Sequence, residues 1–381
     1  MLDIIYYFNI FSCLTMGVGL LLIQTSPELK DPHYRNAKRF LGIASIIVAL
    51  CNGLVLYSRA QESIAEIFSL PVLVAAQFQA ALFTFIVLIL FHSPYVCKRN
   101  ILKHLTPTFV FVVLYTVAVI VKPDVRVYSF EEYAAHITNP ALLLRTVFAG
   151  VYLVQIGIYV RQFHKQRKEY IAKIDNYFSD TDKYEFRWAS RLFYEAASIG
   201  VSVLLFSMFP APLFDAIITT AVTVFYFHFG VRYINYQYKM YYDALPAVNI
   251  VTEPIPQEQE AEQEPLYARE VKSNEETEAE ISKLKLYLQQ GVVLADYAVA
   301  LKVPERKLSM FINSTYGKSF NQWINTQRIE YAQKLVVDCP ELNIEQVAEQ
   351  SGFANKSQFS KIFKEITGTT FSCFKNALND K

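Results

Sequence analysis

Residues 343–371 read NIEQVAEQSGFANKSQFSKIFKEITGTTF. Ile344 to Phe353 pattern as a short amphipathic helix followed by a tight turn. Ala348 is small enough for a second helix to cross closely, and Gly352 can adopt the positive φ that ends the first helix. A second helix over Lys356–Ile366 turns Phe359, Ile362 and Phe363 inward and leaves Ser357, Ser360, Lys361 and Lys364 largely outward. Taken alone, this is also the pattern of an ordinary helical hairpin in a core.

The pattern occurs twice. Ala295–Leu301 forms a first helix with Ala298 in the small position, and Pro304–Ile312 forms its second helix. Pro304 stands at the start, where no N–H is needed, and Leu308, Phe311 and Ile312 face inward. Between the two runs Ser319–Val337, with apolar residues at 320, 323, 324, 331, 332, 335 and 336 in helical spacing. About 18 residues of helix span roughly 27 Å, close to the roughly 34 Å of one turn of DNA. Two helix-turn-helix motifs on such a rod can enter successive major grooves.

The strings LSMFINSTYGKSF, SFNQWINTQRIEYAQKLV and NIEQVAEQSGFANKSQFSKIFKEITGTTF make residues 281–381 resemble the DNA-binding domain of the AraC/XylS family of bacterial transcription regulators. The resemblance implies that the second helix of each motif reads bases. The DNA-binding residues would be Arg306, Lys307, Ser309 and Met310 in the first motif, and Lys356, Ser357, Gln358, Ser360 and Lys361 in the second. Arg328 matches the arginine usual in the connecting helix and joins that set. It also implies promoter DNA as partner and a homodimer on paired sites. Met310 and Asn313 stand where Arg and Lys are common in the family, Lys302 replaces the usual turn glycine and Phe371 the usual proline. The first motif is therefore expected to be the weaker reader. Over 281–381 there are thirteen basic against nine acidic residues, so a basic face must supply phosphate affinity.

Upstream the composition changes. Residues 246–280 carry ten glutamates, one arginine, one lysine and four prolines, and are expected to be a disordered acidic linker. Treated as a flexible coil, it would transmit little torque and would act through the association or spacing of two protomers. Residues 1–245 are apolar and aromatic, which raises the whole chain of 381 residues to 53% hydrophobic and lowers it to 19% charged, with a net charge of +1. Seven stretches are long enough to span a bilayer: Ile5–Gln24, Leu41–Ser58, Pro71–Phe91, Leu105–Val121, Ala141–Val160, Leu192–Phe209 and Leu213–Val231. The first lacks a basic leading region and is not expected to be a cleaved signal peptide. The expected fold is thus all-α: a seven-helix transmembrane bundle (1–245), a linker (246–280) and an AraC-type domain (281–381) with two helix-turn-helix motifs joined by a long helix.

Basic residues alternate across the spans. Seventeen follow the odd-numbered spans, among them Lys38, Arg99, Arg167 and Arg232, against Arg59, Lys122 and Arg126 in the intervening loops. Cytoplasmic loops carry the basic excess, so the N-terminus is expected outside and the C-terminal domain inside a bacterial inner membrane. Ionisable residues inside spans are costly and mark candidate sensing sites. Depth matching pairs Arg145 with Asp215 near the outer face and Glu195 with His228 near the inner face, facing an unknown small-molecule or membrane ligand or serving only to tie helices. Span seven has no lysine for a retinal Schiff base. The five cysteines are scattered, and no HExxH, glycine-rich phosphate loop or Ser/His/Asp constellation occurs, so no catalytic role, metal or cofactor is expected. Reporter fusions after Asn249 and within 125–139 are expected to report opposite sides of the membrane; signals from the same side would refute the orientation.

Overall fold

The computed structural model describes residues 2–24, 32–59, 66–181, 187–209, 211–243 and 283–379. The expected linker at 246–280 lies outside them. Among the described residues there are helices and no β-strand, only an isolated antiparallel bridge between Phe178 and Val293. The chain divides into two compact units, one of Met1–Tyr170 with Phe186–Val248, the other of Ile171–Glu185 with Asn249–Lys381. Residues 171–181, which the sequence assigns to the membrane part, therefore group with the C-terminal domain.

The first unit contains α1 (Leu2–Leu22), α2 (Pro32–Arg59), α3 (Leu70–Leu90), α4 (Lys98–Val121), α5 (Phe130–His136), most of α6 (Pro140–Tyr177), α7 (Arg187–Ser207) and α8 (Pro212–Asp243). All but α5 contain a stretch long and apolar enough to cross a membrane. α5 was not expected; it starts at Ser129, whose hydroxyl accepts from the Glu132 amide. α1 packs on α2 and α8, and α3 on α2, α4 and α7. α1 and α2 approach closely at Gly17 and Gly42, where a Cβ on Gly17 would lie 2.8 Å from the Gly42 carbonyl oxygen. Polar side chains fasten the helices. Fully buried Asn9 of α1 donates to Thr223 of α8 at 2.6 Å and accepts from Asn52 of α2 at 2.6 Å. Tyr34 and Tyr233 each donate to the other's backbone carbonyl, at 2.7 and 3.0 Å. Gln77 of α3 pairs with Gln155 of α6, which also donates to the His104 carbonyl of α4 at 2.7 Å. In an apolar surrounding such bonds replace the solvent that the groups have lost.

The second unit holds a 3₁₀ turn (Leu286–Leu288), α9 (Leu294–Leu301), α10 (Glu305–Tyr316), α11 (Phe320–Asp338), α12 (Ile344–Gln350), α13 (Lys356–Thr367) and α14 (Phe371–Asn379). α11 serves two cores. Phe320, Trp323 and Ile324 pack with Tyr297, Ala298, Leu308 and Ile312, whereas Ile329, Ala332 and Val336 pack with Val347, Ala348, Phe359 and Phe363. Caps set the helix starts: Ser319 with Gln322 for α11 and Asn343 with Gln346 for α12 form capping boxes, and Asn355 accepts from the Gln358 amide at the start of α13.

The two motifs turn alike. The Val303 amide donates to the Ala298 carbonyl at 3.0 Å, and the Phe353 amide to the Ala348 carbonyl at 2.9 Å. The residue between is left-handed in both, Lys302 at φ 56° and Gly352 at φ 83°. Gly352 is doubly constrained, since a Cβ there would lie 2.7 Å from the carbonyl oxygens of Tyr287 and Leu288. A left-handed residue with a side chain costs about 1–2 kcal/mol, so Lys302→Gly should stabilise the α9–α10 turn by about 1 kcal/mol. Gly352→Ala should destabilise α12–α13 by about 2 kcal/mol or more. Native-state hydrogen exchange on the full chain reads both, and unchanged protection at either turn would contradict this account.

Candidate functional site

α10 and α13 are the second helices of the two motifs. On α10, Arg306, Lys307 and Met310 are exposed, Met310 at 60%, and Ser309 is half-buried. On α13, Lys356, Ser357 and Lys361 are exposed and Ser360 is half-buried. The buried sides of both helices, through Leu308 and Ile312 and through Phe359 and Phe363, fix the outward faces of Arg306, Lys307 and Lys361. Lys356 reaches Glu345 of α12 at 3.3 Å, an exposed ion pair that is worth little and easily exchanged for a phosphate.

Residues 297–377 match the family model described as a helix-turn-helix domain. The domain is of the AraC type and binds DNA. The match begins at Tyr297 within α9 and takes in the rest of the first motif, the connecting helix and the second motif. No curated protein and no solved structure matches the chain.

Two of the expected DNA-binding residues are placed differently. Arg328 is 1% exposed. Its guanidinium donates to the carbonyls of Tyr287 at 2.7 Å and Gln289 at 2.8 Å and lies 5.5 Å from the Phe353 ring centre. Burial pulls its pKa down to about 10, which leaves it charged at neutral pH. It holds the segment before α9 against the second motif instead of reaching outward. Its position could have been read from the sequence, because 324, 328, 332 and 336 follow one another at i+4 along the apolar face. Gln358 is 8% exposed, and its Nε2 donates to Asp180 at 3.1 Å.

In the first unit Arg145 is fully buried. It pairs with Glu66 and, at 3.4 Å, with Asp124, and donates to the Val125 carbonyl at 2.9 Å. Its expected partner Asp215 is not among these groups. Glu66 and Asp124 sit on loops, which depth along helices does not rank, and the loops are joined by the Ile67 amide donating to the Val127 carbonyl at 2.9 Å. Burial pushes the Glu66 carboxyl above the usual carboxylate range, against the pull of Arg145. The expected inner pair does form, with His228 Nδ1 3.8 Å from Glu195 and both side chains nearly half exposed. Arg232 donates to His228 Nε2 at 3.3 Å, which favours the tautomer with its proton toward Glu195.

A cavity of about 580 Å³ lies within this unit. Glu66, Asp124, Arg126, Arg145 and Asp215 line it, with Asn52, Gln79 and apolar walls from Phe83, Val203 and Phe225. Glu195 and His228 are not among its lining residues. Tyr226 also lines it, and its buried hydroxyl has no hydrogen-bond partner among the described residues. The size falls within the roughly 300–1,000 Å³ common for small-molecule sites.

The two basic residues should separate cleanly on mutation. Lys361→Ala should weaken specific DNA binding by about 1–3 kcal/mol with little loss of stability. Arg328→Ala leaves two carbonyls unmet and should destabilise the domain by about 2–4 kcal/mol. Operator titration and thermal unfolding of the full chain check both, and a Lys361 variant that binds as tightly as wild type would remove α13 as a reader.

Proposed function

We propose that the chain is a membrane-embedded, one-component transcription regulator. Its seven long apolar helices cross the inner membrane with the N-terminus outside, and the helix-turn-helix domain binds promoter DNA on the cytoplasmic side. The orientation rests on the alternation of basic residues, and the side of the C-terminal domain also on its need to meet DNA. Bases are read by Arg306, Lys307, Ser309 and Met310 of α10 and by Lys356, Ser357, Ser360 and Lys361 of α13, as a homodimer on paired sites.

The observation that carries the sensing role is the cavity. A bundle that only tethers needs neither a 580 Å³ void beside a buried ion cluster nor a buried hydroxyl without a partner. A small ligand with an apolar body and a hydrogen-bonding group would fill both deficits. Its binding would bias the bundle between two states and so the DNA affinity of the attached domain.

Tyr226→Phe and Asp215→Asn test this directly. Removing an unpartnered hydroxyl costs the fold little. Tyr226→Phe should therefore reach the membrane at wild-type level; both variants should bind DNA, yet change a promoter reporter's response to its signal by about tenfold, the value of one lost hydrogen bond. A wild-type response in both would reduce the helices to a tether.

A further inference from the structure

We propose that residues 177–180 form an intramolecular clamp on the DNA-reading surface, in which Asp180 occupies Gln358 and must leave before α13 can enter a major groove. This rests on the regulator reading above and names how its DNA site is controlled.

The segment has an anchor and a tip. Phe178 and Ser179 are buried, and Tyr177 packs against the core of the first motif. Phe178 forms the antiparallel bridge with Val293, and the Ser179 amide donates to the Val292 carbonyl at 3.3 Å. Asn321, in the first turn of α11, donates to the carbonyls of Phe178 at 3.3 Å and Ser179 at 2.8 Å. These contacts hold the anchor to the start of α9 and of α11. The tip is Asp180, half-buried, which accepts a hydrogen bond from Gln358 Nε2 at 3.1 Å.

The location of the tip gives it consequence. Gln358 lies in the first turn of α13, directly after Lys356 and Ser357, and the first turn of the second helix of such a motif is the part that meets base edges. A glutamine reads adenine with its amide N–H and its carbonyl together, and here the N–H is committed to a carboxylate. Asp180 also sets a negative charge beside the first turn of α13, which repels a DNA phosphate while it remains. Arg328 adds attraction, since the Asp180 charge favours its ionised form.

The test uses the full-length protein in lipid nanodiscs, with an operator mapped by promoter-wide binding, at one fixed salt concentration. Asp180→Ala should bind the operator about 10- to 100-fold more tightly than wild type, as expected for loss of a charged competitor's hydrogen bond. In a Gln358→Ala background the same substitution should give a markedly smaller gain, because the part of the effect that runs through Gln358 is already lost. Equal affinity of wild type and Asp180→Ala, weaker binding by Asp180→Ala, or an undiminished gain in the Gln358→Ala background would overturn the clamp. If neither wild type nor variant distinguishes the operator from random DNA, the regulator reading itself fails and the clamp falls with it.

Discussion

Taking a guanidinium out of water costs several kcal/mol unless the protein meets its charge and its donors. Among the described residues the chain does this once in each unit, at Arg328 and at Arg145. Around Arg328 gather the carbonyls of Tyr287 and Gln289, the face of Phe353 and the charge of Asp180. The two helix-turn-helix motifs otherwise keep separate cores on the two halves of α11. The buried cation sits where those halves meet and joins the segment before the first motif to the turn of the second. Gly352 belongs to the same arrangement, since the carbonyls that crowd it come from Tyr287 and Leu288.

Arg145 plays a corresponding part in the first unit. Its two carboxylates come from the loops before α3 and after α4, so one side chain of α6 closes both loops over the bundle. Tyr115 adds a bond to Asp124 at 2.6 Å. The ion cluster is thereby fixed as part of a cavity wall, and its charge is spent within the protein. Asp215 contributes a further carboxylate to that wall. What enters the space meets an apolar body lined with amides and hydroxyls and a polar margin already balanced in large part by its own pairs.

Much of this was legible in the sequence, for physical reasons that also mark the limit. Length and apolarity determine a bilayer-spanning helix, and the seven stretches recur as seven long helices, although α6 runs on to Tyr177 and α8 to Asp243 beyond the expected ends. The repeated Ala-turn-helix pattern and the helical spacing of the stretch between the motifs placed α9 to α13 closely. Partner choice was not legible. Glu195 and His228 met as depth along adjacent helices suggested, but Arg145 found carboxylates on loops whose return path no periodicity encodes. Asp180 is the extreme case. It stands in a polar stretch after a long helix, and only the folded chain brings it to Gln358, 178 residues away.

The central claim is that one polypeptide holds promoter DNA while seated in the membrane. It is tested most directly by cross-linking DNA to the full-length protein in intact cells, separating membranes from cytosol, and sequencing the DNA bound in each fraction. Enrichment of discrete promoter sites in the membrane fraction, on uncleaved protein, is the predicted result. Enrichment only on a released C-terminal fragment in the cytosol, or no site-specific enrichment at all, would contradict it.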